Sequence, residues 1–301
     1  MFGPQAITGK QFRTLSIADQ QQHSHIMIID SHQHFWKYDP EQHTWIDDDM
    51  AVIRRDFLPS DLEKEFLENG VDGCVAVQAD QSLAETDFLL QLADENDFIK
   101  GVVGWVNLRY PNVDAVLERY ASHRKLKGWR HIVQGEADHN FLLRPDFLRG
   151  IGLLEKYGYT YDILVFPHQL GSVLEFVKHF PNQKFVIDHI AKPYIKDGFY
   201  DGWAVLMEEI AKYENVYCKL SGMITEADYQ NWTAEQLHPY LHHTLEIFGS
   251  ERTMFGSDWP VCLVAGTYGE VKSVVEDFIN HLEPNDRNMI MGENASAFYN
   301  L

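Results

Sequence analysis

The sequence predicts a single-domain (β/α)8 TIM barrel of the α/β class, on three observations. Eight short, apolar, β-branched runs recur along the chain, and helical patterns separate them. The alternation fills about 270 residues, the size and rhythm of such a barrel. Most of the runs are also continuously apolar instead of alternating, as strands covered on both faces are.

In chain order, the first strand is "IMIID" at 26–30. A helix over 59–70 follows, with Ser60 or Asp61 to cap it and Gly70 at its stop. "GCVAVQA" at 73–79 is the second strand, and the helix over 82–96 opens on Ser82 and Glu85, a capping-box spacing. "GVVGWVN" at 101–107 and "KGWRHIV" at 127–133 flank a helix over 112–122. "TYDILVF" at 160–166 and "KFVIDHI" at 184–190 lie between helices over 145–157, 168–179 and 201–213. "NVYCKLS" at 215–221 and "RTMFGSD" at 252–258 complete the strands, with helices over 234–248, 268–282 and 284–299. A doubly wound sheet is the competing fold, but it favours a glycine-rich turn after its first strand. Here that strand runs into "DSHQHFW", which has no glycine.

No linker or composition break interrupts 27–301, which reads as one barrel domain. Residues 1–26 read as an N-terminal extension outside the core, polar and without sustained periodicity, as poorly ordered termini are. They hold a second H-x-H, His23 and His25, taken as incidental, and no apolar stretch of signal-peptide length. A net charge of −20 argues against nucleic acid or an anionic membrane as partner. No run approaches the roughly 18 apolar residues of a membrane helix. Three cysteines without paired spacing fit a reducing compartment, so a cytoplasmic location is expected. No exposed apolar helix face stands out, and the oligomeric state stays open.

Barrel enzymes keep their chemistry at the C-terminal strand ends. Those ends carry His32 and His34, Gln78, Trp105 and Asn107, Arg130 and His131, and His168. Later ends add Asp188, His189 and Lys192, then Lys219 and Ser221, then Ser257 and Asp258. In H-x-H on a strand both imidazoles point to one face, where they can bind a metal or polarise a carbonyl, or merely punctuate a strand exit. Asp258 is expected to project across the mouth from them, and it is otherwise a structural cap. Asp188 is expected to alternate away from His189. Arg130, His131 and Lys192 can fix substrate oxygens by charge-assisted hydrogen bonds, or form rim ion pairs. Trp36, Trp45, Trp105 and Trp259 can wall a ring-shaped ligand or plug gaps between loops.

With "DSHQHFW", "DHIAKP", "KLSG" and "MFGSDWPVC" in this order, the chain resembles the amidohydrolase superfamily over essentially all of 27–301. More narrowly, it resembles the amidohydrolase-2 group that contains L-fuconolactonases, L-rhamnonolactonases and pyrone-dicarboxylate lactonases. The resemblance implies a hydrolase that opens a sugar lactone, L-fucono-lactone-like, to the sugar acid. It implies Asp258 as general base, and His32, His34 and His189 as groups that polarise the carbonyl directly or through a metal. Gln78, Arg130, His131, Lys192, Trp36, Trp105 and Trp259 are the expected substrate-binding residues. His32, His34, His189 and Asp258 are the expected ligands of one divalent ion such as Zn²⁺, if one is bound. A two-metal site is not expected, because no lysine ends the fifth strand, though His168 lies just beyond it. The resemblance leaves two further functions open: a metal-dependent decarboxylase acting on a small carboxylic acid, and a barrel that only binds sugar acids.

Overall fold

The computed structural model describes residues 27–301, so the extension assigned to 1–26 lies outside the described residues. Eight parallel strands pair in chain order. They are β1 (Ile29–Gln33), β2 (Gly73–Val77), β3 (Ile99–Gly104), β4 (Leu126–His131), β5 (Thr160–Ile163), β6 (Phe185–Ile187), β7 (Val216–Leu220) and β8 (Thr253–Phe255). The ring closes where Gln33 pairs with Trp259. There the Asp258 N–H donates to the His32 carbonyl at 2.8 Å and the His34 N–H to the Trp259 carbonyl at 2.7 Å.

The outer helices are α1 (Pro59–Asn69), α2 (Leu83–Glu95), α3 (Val113–Tyr120), α4 (Pro145–Ile151) and α5 (Leu154–Tyr157). They continue with α6 (Leu170–Lys178), α7 (Asp201–Ala211), α8 (Ala234–Phe248), α9 (Tyr268–Ile279), α10 (Pro284–Asn288) and α11 (Asn294–Tyr299). Ser82 caps α2 as its spacing implies, accepting the Glu85 N–H. Two expected helices are interrupted. The segment 145–157 divides into α4 and α5. The last divides at a π-turn, Met289–Glu293, where Gly292 lies so close to the Met27 carbonyl that a β-carbon would sit 2.0 Å from it.

Inside the barrel the layers differ in chemistry. The lower layer is apolar: Ile29, Val75, Val77, Val103, Val186 and Met254 pack on Ala295, Phe298 and Tyr299 of α11, which plugs the base. Above it lies an ionic layer of fully buried Asp162, Asp188 and Lys219 with the nearly buried Arg130. Such charges are tolerated in an interior only when paired. Tyr299 joins the two layers, donating its hydroxyl to Asp162 Oδ2 at 2.7 Å.

Candidate active site

The site stands on the ionic layer at the C-terminal mouth. β1 runs three residues beyond its expected end, so His32 lies within the strand and His34 just after it. Asp258 is not across the mouth from them. β8 is the neighbour that closes the ring onto β1, so Asp258 sits beside the two histidines, with its Oδ1 3.3 Å from His34 Nε2 and 3.9 Å from His32 Nε2. Its backbone is left-handed, φ 58°. Asp30 clamps this junction, accepting the Ser257 N–H and Oγ–H, the Tyr268 hydroxyl and the His32 N–H.

His189 arrives differently. β6 ends at Ile187, and His189, Ile190, Ala191 and Lys192 all have positive φ, between 47° and 59°. A left-handed turn costs an L-residue roughly 1–2 kcal/mol per position, and such strain collects at functional sites. The Lys192 N–H closes the turn onto the His189 carbonyl at 2.8 Å, and the Trp203 indole donates to the Ile190 carbonyl at 2.7 Å. With three residues per turn, positions 189 and 192 share a face. His189 Nε2 thereby comes 3.8 Å from Asp258 Oδ1. The expected alternation of Asp188 away from the site fails because period two holds only within a strand. Asp188 also faces inward, with His32 Nδ1 3.2 Å from its Oδ1 and Arg130 donating to its Oδ2 at 2.9 Å.

The partners of the rings set their tautomers. His34 Nδ1 lies 2.7 Å from the Val77 carbonyl, which can only accept, so His34 Nε2 presents a lone pair. Arg130 Nη1 lies 3.2 Å from His32 Nε2 and can only donate, so His32 carries its proton on Nδ1, toward Asp188. Lys219 Nζ also stands 3.1 Å from His32 Nδ1, a contact that favours the other tautomer, but its shorter contacts are the carboxylates of Asp162 at 2.5 Å and Asp188 at 3.0 Å. His189 Nδ1 meets the Ser221 hydroxyl at 2.8 Å. Burial lowers the basicity of the rings: His32 is held well below the usual histidine range, and His189 is brought down to about 4. Burial alone raises the Asp258 carboxyl, but the charge that His189, His34 and His32 carry when protonated, with the hydrogen bond His34 then donates, outweighs it and holds the carboxyl below the usual carboxylate range.

The cleft above is lined by His34, Arg130, His189, Lys192 and Asp258, with Glu226, Gln134 and Tyr229 as further polar groups. Trp45, Met50, Leu164 and Val261 are among its apolar lining residues. Five of the expected substrate-binding residues lie outside this lining. Gln78 is fully buried, donating to the Arg130 carbonyl. His131 pairs with Glu136 and stacks on Phe141, and Trp105 donates to His131 Nδ1 from behind. Trp36 and Trp259 are buried plugs against Phe57. Of the tryptophans named from the sequence, Trp45 reaches the cleft. His168 bonds the Tyr194 hydroxyl outside the lining. Asp188, Glu226 and Asp162 were not expected at the site.

Whether these residues suit a metal ion is decided by the lone pairs. His32 Nε2 and His34 Nε2, both acceptors, face each other at 3.3 Å, which is repulsive unless a cation or proton lies near. His32, His34 and Asp258 place one donor atom each within 4.8 Å of one another. Each of their rings also has its second nitrogen held by a carboxylate or carbonyl, as metal-binding histidines do. The set fits one divalent ion, which would compete with Arg130 for His32.

A closed parallel barrel with three histidines and an aspartate at its C-terminal mouth has the layout of a barrel enzyme. The chain belongs to the amidohydrolase family, whose model matches residues 29–301. It is 40% identical over 265 residues to the L-fucono-1,5-lactonase of Burkholderia multivorans, covering 84% of this chain and 88% of that protein. It is 35% identical over 256 residues to the L-fucono-1,5-lactonase of Burkholderia ambifaria, with the same coverage of 84% and 88%. A crystal structure of an amidohydrolase from Burkholderia multivorans with bound zinc superposes with a TM-score of 0.87 at 40% identity, covering 91% of this chain and 99% of that one.

Proposed function

We propose that this chain hydrolyses a sugar aldonolactone, L-fucono-1,5-lactone-like, to the open sugar acid. The observation that carries the reading is the convergence of His32, His34 and His189 Nε2 on the ionised Asp258 carboxylate at the floor of the cleft. The likeness to two L-fucono-1,5-lactonases supports the substrate class.

Asp258 acts as general base: it takes a proton from water while the oxygen attacks the lactone carbonyl, then returns it to the ring oxygen as the C–O bond breaks. The lone pairs of His32 and His34 point inward and so cannot donate to the carbonyl oxygen. Arg130, whose guanidinium lines the cleft, is the group that can. His32, His34 and Asp258 would hold a divalent ion here, with His189 beside them, and such an ion would supply Lewis acidity at the same place. The substrate is a small polyhydroxylated ester. The three cysteines are free and buried, which supports a reducing, cytoplasmic compartment. No helix among the described residues is long and apolar enough to cross a membrane.

A decarboxylase needs cations free to hold a substrate carboxylate. Both cations lining the cleft face a carboxylate, Arg130 with Asp188 and Lys192 with Glu226, each at 2.9 Å, which offsets their charge toward a substrate carboxylate while leaving hydrogens to donate to neutral oxygens. A panel of aldono-1,5- and 1,4-lactones, followed by acid release at constant pH against buffer alone, tests the function. Turnover of at least one is expected, and spontaneous rates throughout would contradict it.

A further inference from the structure

We infer that Glu226, paired with Lys192, is a specificity-determining residue that reads the hydroxyl groups of the substrate. The inference rests on the lactonase reading and names the part of the cleft that selects among lactones.

Glu226 lies on the loop after β7, between Thr225 and Tyr229, and all three line the cleft. Its Oε1 meets Lys192 Nζ at 2.9 Å, with side-chain exposures of only 12% and 18%. A surface ion pair would be worth little, but this one is sheltered inside the cleft that holds the reacting groups. Two structural features hold it there. The strained left-handed turn that brings His189 to Asp258 puts Lys192 one turn later on the same face. The backbone of Glu226 is fixed as well: its N–H donates to the Met223 carbonyl at 3.1 Å, and its carbonyl accepts the Lys196 N–H at 3.0 Å.

The pair does not saturate its own hydrogen-bonding capacity. The contact engages one carboxylate oxygen and one of three ammonium hydrogens. The second oxygen can accept a hydroxyl proton, and the remaining ammonium hydrogens can donate to a hydroxyl oxygen. A polyhydroxylated ring satisfies both at once. An unsubstituted ring leaves a charged pair facing a guest with nothing to offer it, which is how a polar site rejects an analogue lacking the hydroxyl. The apolar lining residues, Trp45, Met50, Leu164 and Val261, offer no such polar reading. Glu226 touches no atom that changes bonding in the reaction, so its role belongs to selection and not to the chemical step.

The test compares wild type, Glu226→Gln and Glu226→Ala on two six-membered lactones, a fully hydroxylated aldono-1,5-lactone and δ-valerolactone. Each is measured as kcat/KM above spontaneous opening, or as an inhibition constant for δ-valerolactone where its turnover is too slow. The preference of wild type for the hydroxylated lactone is expected to shrink about 10- to 100-fold in both variants, mainly through KM, as loss of a charged hydrogen bond implies. A preference that stays at the wild-type value, even if both activities fall together, would overturn the inference and leave the lactonase reading intact. The hydroxylated lactone is the one that wild type opens fastest in the panel, and failure of wild type to open any lactone of that panel would contradict the lactonase reading, and this inference with it. Thermal melting of each variant identifies loss of folding, and the isosteric Gln variant carries the comparison if the Ala variant does not fold.

Discussion

Glu85 sits largely buried at the start of α2, accepting the Ala79 N–H at 3.0 Å, and burial pushes its carboxyl up to about 7 from 4.5. The folded chain therefore holds a proton that the unfolded chain has released, and stability falls as pH rises from 4.5 through 7. Glu85→Gln keeps the acceptor without the charge. It should melt above wild type at pH 8, by on the order of 1–2 kcal/mol, with no gain at pH 5. An equal difference at both values would contradict this assignment. At the floor of the cleft, zinc-loaded and dialysed protein should retain one ion per chain by elemental analysis. His34→Asn should weaken that retention at least about tenfold, because it removes a lone pair whose partner nitrogen is anchored on Val77. Unchanged retention would remove His34 from the donor set. The convergence of His32, His34, His189 and Asp258 was legible because each lies within a recognisable strand or no more than three residues beyond its end. Asp188 was misplaced because period two was carried one residue past the end of β6, and Glu226 lies in a loop whose composition marks nothing.

The strands and most helices were legible as elements, since eight apolar runs and their capped partners leave few alternatives. Their edges were less so: β1 starts at Ile29 and includes the polar Asp30, Ser31, His32 and Gln33, whose partners come from distant parts of the chain. The left-handed turn of His189–Lys192 left no trace, because four successive positive φ values at non-glycine residues have no compositional signature. Its support is equally local. Gly222, at φ 61°, packs under the His189 ring, where a β-carbon would lie 2.5 Å from Nδ1. Gly222→Ala should lower stability by about 1–3 kcal/mol and reduce kcat at least about tenfold by displacing His189. Melting and steady-state kinetics check both, and an unchanged kcat would show that the ring position does not matter to turnover.

The molecule as a whole is a barrel sealed below and reactive above, with a buried ionic layer between. The seal comes from the last helix, so the C-terminus contributes to the interior through Phe298 and Tyr299. Phe298→Ala should cost about 3–5 kcal/mol in urea unfolding, and a cost under about 1 kcal/mol would show that α11 is dispensable. That plug was legible as a helix but not as part of the core, since sequence order says nothing of what the chain end covers. The ionic layer holds His32 from below, and Asp258 is the carboxylate on which the three histidines converge at the floor of the cleft. The central claim is that this carboxylate drives lactone opening. Acid release from the preferred aldonolactone, for wild type and Asp258→Asn against buffer alone, tests it most directly. A loss of about 10²–10⁴ in kcat with the fold intact is the result this account predicts, and an Asn variant as fast as wild type would contradict it.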